Sequence, residues 1–154
     1  MMRILSLCLA IFATSPALAL SCFPPTVEQA FMGVQESPEI FAPVVGRFEG
    51  FAPRAPSNSP NPQDRTFWAN FVGDHISSKG PKYDQTLRVR VKITETCAAS
   101  WCGNLAAGTQ MLTFLRKSGN SYFLTVGACG GNAFLSPTTT QVKTVRNCMA
   151  RGGC

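Results

Sequence analysis

Apolar and polar residues alternate most strictly between Thr86 and Thr96, where Leu87, Val89, Val91 and Ile93 interleave with Arg88, Arg90, Lys92 and Thr94. A period of two is the repeat of a β-strand with one buried and one wet face. Two further apolar runs, Met111 to Arg116 and Tyr122 to Gly127, flank Lys117-Ser118-Gly119-Asn120-Ser121. Gly-Asn supplies the left-handed conformations of a hairpin loop, so these two strands are predicted to be antiparallel neighbours. Ile40 to Phe51 is β-rich but interrupted by Pro43, Gly46 and Gly50, which predicts a bent or bulged strand. Thr66 to Val72 reads as a strand carrying Phe67, Trp68 and Phe71, ended by a turn at Gly73-Asp74.

At both ends of the chain the repeat becomes helical. Val27, Ala30, Phe31 and Val34 share one face, and Thr26 followed three residues later by Gln29 is a capping-box pattern, so a short helix is predicted to end before Ser37-Pro38. Val142, Val145 and Met149 mark a second helix, with Ser136 as N-cap, Pro137 in its first turn and Gly152-Gly153 as its stop. Between the first two predicted strands, Ala52 to Arg65 contains Pro53, Pro56, Pro60 and Pro62, which cannot supply a central strand and should form an exposed loop. Helix, about five strands, helix is the order of a mostly β fold with two terminal helices. A small OB-like five-stranded barrel fits it better than an alternating α/β sheet.

The first residues change the compartment. Arg3, the apolar run Ile4 to Ala13, and Ala17-Leu18-Ala19 form the three parts of a secretory signal peptide over 1–19, with a second small-residue cleavage position after Ser21. The apolar run is too short for a transmembrane anchor, and nothing comparable follows. Taking 19 residues from 154 leaves about 135, predicted as a single OB-like domain over 20–154 with the proline-rich loop at 52–65. Localisation is thus expected to be exported, periplasmic or secreted. Removing Cys8 with the signal leaves Cys22, Cys97, Cys102, Cys129, Cys148 and Cys154, an even set that can pair completely under oxidising conditions. Six cysteines admit many pairings. Proximity favours Cys97 with Cys102 and Cys148 with Cys154, which leaves Cys22 for Cys129. The net charge of +6 is modest and scattered, so no nucleic acid partner is expected.

Cys22-Phe23-Pro24-Pro25, followed by Ala30-Phe31, resembles the entry of the tissue inhibitors of metalloproteinases into their OB-like, netrin-type domain. Thr113-Phe114-Leu115-Arg116 leading to Cys129 resembles a later hairpin of that family, and Cys148 stands where a terminal-helix cysteine would. The chain departs from the pattern at Pro24 and Met32, where those inhibitors carry further cysteines. Trp101-Cys102-Gly103, Cys129-Gly130-Gly131-Asn132-Ala133-Phe134 and the terminal Gly-Gly-Cys also resemble exported proteins of alphaproteobacteria. The inhibitor resemblance implies a wedge in which the α-amino and carbonyl groups of a mature N-terminal Cys22 chelate a catalytic zinc.

Candidate chemistry is sparse. His75 is a single histidine beside the predicted turn and has no partner set for a metal site or a triad. Glu28, Glu36 and Glu39 read as surface charges, Gly130-Gly131-Asn132 as a tight turn, and Trp68 and Trp101 as core or loop anchors. No cofactor and no catalytic residue is predicted. Arg88, Arg90 and Lys92 project together from the best strand and form the candidate face for an anionic partner. The expected function is therefore an exported, disulfide-stabilised binding protein without catalytic activity, acting on a protein or an envelope component. The alternatives are a metalloproteinase inhibitor working through Cys22 and a structural cell-envelope protein.

Overall fold

The structure, a computed structural model, describes residues 22–56, 59 and 61–154; the signal peptide expected over 1–19 lies outside them. The first helix, α1 (Val27–Gln35), starts at a complete capping box, in which the Thr26 hydroxyl accepts from the Gln29 N–H and the Gln29 side chain accepts from the Thr26 N–H. Five strands follow that close on themselves: β1 (Ile40–Glu49), β2 (Arg65–His75), β3 (Gln85–Glu95), β6 (Met111–Ser118) and β7 (Ser121–Val126). Between them lie β4 (Cys97–Ala98) and β5 (Trp101–Cys102), a small separate ribbon, and after them β8 (Ala133–Leu135) and α2 (Thr139–Arg151).

The barrel runs β1-β2-β3-β7-β6 and returns to β1, with β8 paired to Met111–Thr113 on the edge of β6 that β7 uses further along. All its pairings are antiparallel except β3 with β7, which is parallel and closes the barrel. The predicted mostly β, OB-like five-stranded barrel with two terminal helices is the fold observed. β1 makes closure possible by pairing twice, with β6 over Ile40–Gly46 and with β2 over Val44–Glu49. Pro43 lies just beyond the ladder to β2: its carbonyl accepts from the Ile76 N–H, and because it has no N–H to return the bond, the ladder to β2 ends there.

Two cores result. Val44, Phe48, Phe71, Val91, Ile93, Met111 and their neighbours fill the barrel. Val27, Ala30 and Phe31 of α1 and Val145 and Cys148 of α2 pack with Ile76, Leu112 and Phe114 outside it. β6 lies between the cores, which is why all of Met111–Leu115 is buried. Three disulfides staple this arrangement, Cys22–Cys129, Cys97–Cys102 and Cys148–Cys154, a set that fits an oxidising compartment. Among the described residues no helix is long and apolar enough to cross a membrane.

Three local expectations are corrected. Gly73-Asp74 is not a turn: β2 continues to His75, and Gly73 pairs directly with Gly46 of β1. A Cβ on Gly73 would lie 2.2 Å from the Val45 carbonyl oxygen and 2.5 Å from the Gly46 Cα, so this glycine serves close approach of two strands. His75 consequently ends a strand, opposite Gln85. The second helix begins two residues later than expected, with Thr138 as N-cap and a Thr138–Gln141 capping box, while Ser136 takes a positive φ of 47°. Its stop is as predicted, with Gly152 left-handed at φ 73°.

Candidate functional site

On β2 and β3 the strict alternation decides which side chains point outward. Phe67, Ala69 and Phe71 turn inward, and Trp68, Asn70 and Val72 turn out beside Lys92, Arg90 and Arg88 in register. Trp68 is 44 % exposed, and the Arg90 guanidinium lies 4.9 Å from its ring centroid. The row continues across the closure: Lys92 is level with Phe123 of β7, and the Arg116 guanidinium of β6 lies 4.3 Å over the Phe123 ring. Aromatic and cation thus alternate along one line across four strands, Trp68, Lys92, Phe123 and Arg116. The expected role of Trp68 as a core or loop anchor is corrected, because its strand phase puts it on the wet face. Trp101, 59 % exposed in the β4–β5 ribbon, is likewise outside the core.

The three cations of β3 on this face stand outside the ion pairs of the barrel. Arg47 pairs with Glu49, Arg54 and Arg65 with Glu95, Arg116 with Glu39, and Arg146 with Asp84. Among the described residues, no carboxylate forms an ion pair with Arg88, Arg90 or Lys92. Like charges at successive outward positions of one strand repel. A polar hollow of about 440 Å³ opens beside Arg88, with Arg47, Asp74 and Thr86 among its lining residues.

Two polar clusters escaped sequence reading. The first centres on Glu95, the next inward position after Ile93, and its carboxylate is fully buried. It accepts from Arg54 Nε at 3.0 Å, Arg65 Nε at 3.1 Å and the Leu105 N–H at 2.9 Å. The same guanidiniums bond to the Gln63 and Ala52 carbonyls, and Asp64 accepts from the Cys97 N–H at 2.8 Å. Both ends of the proline-rich segment are thereby clasped to the end of β3. The alternation carried the signal, since its phase points Glu95 inward.

The second cluster is Arg146 of α2, which grips Asp84 with two bonds of 2.8 Å and also donates to the Ser77 carbonyl. The Arg146 hydrogen bonds hold the Asp84 carboxyl below its ordinary range, and Asp84 in turn raises Arg146. No local pattern announces a pair 62 residues apart.

No protein-family profile, curated protein or solved structure matches the chain. The site therefore rests on its own geometry. Cys22 is exposed and bonded to Cys129, and Phe23 beside it is 85 % exposed. Among the described residues, no group of three or more His, Cys, Asp or Glu side chains could hold a metal ion.

Proposed function

We propose that this protein is an exported, disulfide-stapled binding module that holds an anionic partner on the outer face of β2 and β3 and performs no catalysis. The observation that carries this reading is the outward row Arg88, Arg90 and Lys92 on β3, none of them in an ion pair among the described residues, with the Arg90 guanidinium over the exposed ring of Trp68. Unpaired cations attract an anionic surface, and an aromatic ring beneath a guanidinium supplies a flat contact at little entropic cost. The OB-like barrel supports it further, since strands 2 and 3 of such barrels are a recurrent binding face. The test is retention on immobilised heparin under a salt gradient. Replacing Arg88, Arg90 and Lys92 together by Gln should lower apparent affinity about tenfold or more. A control triple at exposed Lys79, Lys117 and Arg151 should change it far less; equal losses in both would sink the assignment.

A second reading is favoured by the N-terminal edge. Cys22 and Phe23 project beside the Cys22–Cys129 bond, as a zinc-chelating wedge of the metalloproteinase-inhibitor type would require. It needs a free α-amino group on Cys22. A mature chain beginning at Leu20 in intact-mass measurement eliminates it.

A further inference from the structure

Helix α2 carries two stripes. Val145, Cys148 and Met149 enter the outer core, while Thr139, Val142, Lys143, Arg146 and Asn147, linked across the helix by steps of three and four residues, border a cleft, Val142 packing against that core as well. The opposite side of the cleft is the β2–β3 connection, whose 3-10 turn (Pro81–Tyr83) is fixed to α2 by the Asp84–Arg146 pair. The cleft measures about 710 Å³, within the ~300–1,000 Å³ typical of small-molecule sites. Its apolar surface comes from Val45, Pro81, Pro137 and Val142. Two of these are prolines, which bring no N–H that an apolar guest would leave unbonded.

The polar groups of the cleft are of two kinds. Asp84 and Arg146 satisfy each other, so they brace its wall and contribute no net charge. Lys143, Asn147 and Gln110 form no side-chain hydrogen bond or ion pair among the described residues, and they border the same space. One uncompensated cation and two amide groups beside an apolar wall complement a single anionic head on an apolar body. An ion pair at the margin of such a low-dielectric surface is stronger than one in open water.

We propose that this cleft binds a small amphipathic carboxylate, with the Lys143 ammonium holding the anion and Val45, Pro81, Pro137 and Val142 receiving the apolar body. None of Arg88, Arg90 and Lys92 lines the cleft. The polar hollow beside Arg88 does share Val45 and Gln110 with the cleft, however, so the two sites must be separated experimentally.

Isothermal titration of the mature protein with octanoate, and with 1-octanol as the uncharged counterpart, tests it. Octanoate should bind saturably at one site and more tightly than octanol. Lys143→Gln should weaken octanoate about tenfold and leave octanol unchanged. Thr139→Trp, or Asn147→Trp if the first lowers the thermal midpoint, should fill the cleft and abolish both. The Gln triple at Arg88, Arg90 and Lys92 should leave octanoate binding intact even if that face proves to have no partner. Absence of saturable binding at millimolar octanoate, equal affinity for the two ligands, or indifference to Lys143→Gln or to the tryptophans overturns the proposal. Loss in the triple variant moves the anion to the basic face and overturns it as well.

Discussion

A carboxylate with no exposed surface is a commitment at a single residue, because its charge must be answered from within. Glu95 is answered by two guanidiniums and one backbone N–H. Glu95→Gln retains the shape but leaves Arg54 and Arg65 facing a neutral amide. Since both arginines keep some solvent contact, the expected loss is about 3 kcal/mol in urea unfolding, at the low end for a broken buried pair. Asp84 gives a pH-dependent counterpart. The bonds from Arg146 keep its folded pKa below the unfolded value near 3.8, so its contribution is complete above that value and is lost as pH falls through the folded one. Asp84→Asn should therefore cost about 1–2 kcal/mol at pH 7. Thermal midpoints of wild type and variant should converge on acidification below about pH 4.

At the scale of elements, the β1–β2 crossing depends on two facing glycines. A Cβ on Gly46 would meet the Val72 carbonyl oxygen at 2.4 Å and the Phe71 ring at 2.6 Å, and the backbone of the facing strand cannot rotate away. Gly46→Ala and Gly73→Ala should each destabilise by about 3 kcal/mol, the upper part of the overpacking range. Gly33→Ala in α1, where a Cβ meets nothing, should be neutral or mildly stabilising. Most elements were legible because their signals are local: alternation for β3, capping and apolar spacing for α1, Gly-Asn for the β6–β7 hairpin. The mistaken turn at Gly73 shows the limit. A glycine needed for close approach to a strand 27 positions away leaves the same mark in sequence as one needed for a turn. The basic face was legible as three residues on one strand. Its aromatic members were not, because Trp68 and Phe123 join it only through pairing register. Asp84 with Arg146, and the cleft they brace, required the tertiary fold.

For the molecule as a whole, the barrel and the outer helices are joined at the N-terminus by Cys22–Cys129, which spans 107 residues, against 5 and 6 for the other two bonds. On the chain-entropy account the long bond contributes about 5 kcal/mol and each short one about 2. Replacing Cys22 and Cys129 together by Ser should accordingly lower stability about twice as much as removing Cys97 and Cys102, in denaturant unfolding under non-reducing conditions. The clasp around Glu95 has a different consequence at this scale. By fastening Ala52, Arg54, Gln63 and Arg65 around one buried carboxylate, it holds both ends of the proline-rich segment against the barrel. Lengthening such a segment costs only about 0.6 kcal/mol per doubling once its ends are fixed. With both ends so fastened, the stretch between Arg54 and Gln63 is where the scaffold should tolerate inserted sequence, a display position that urea unfolding of an insertion variant would check.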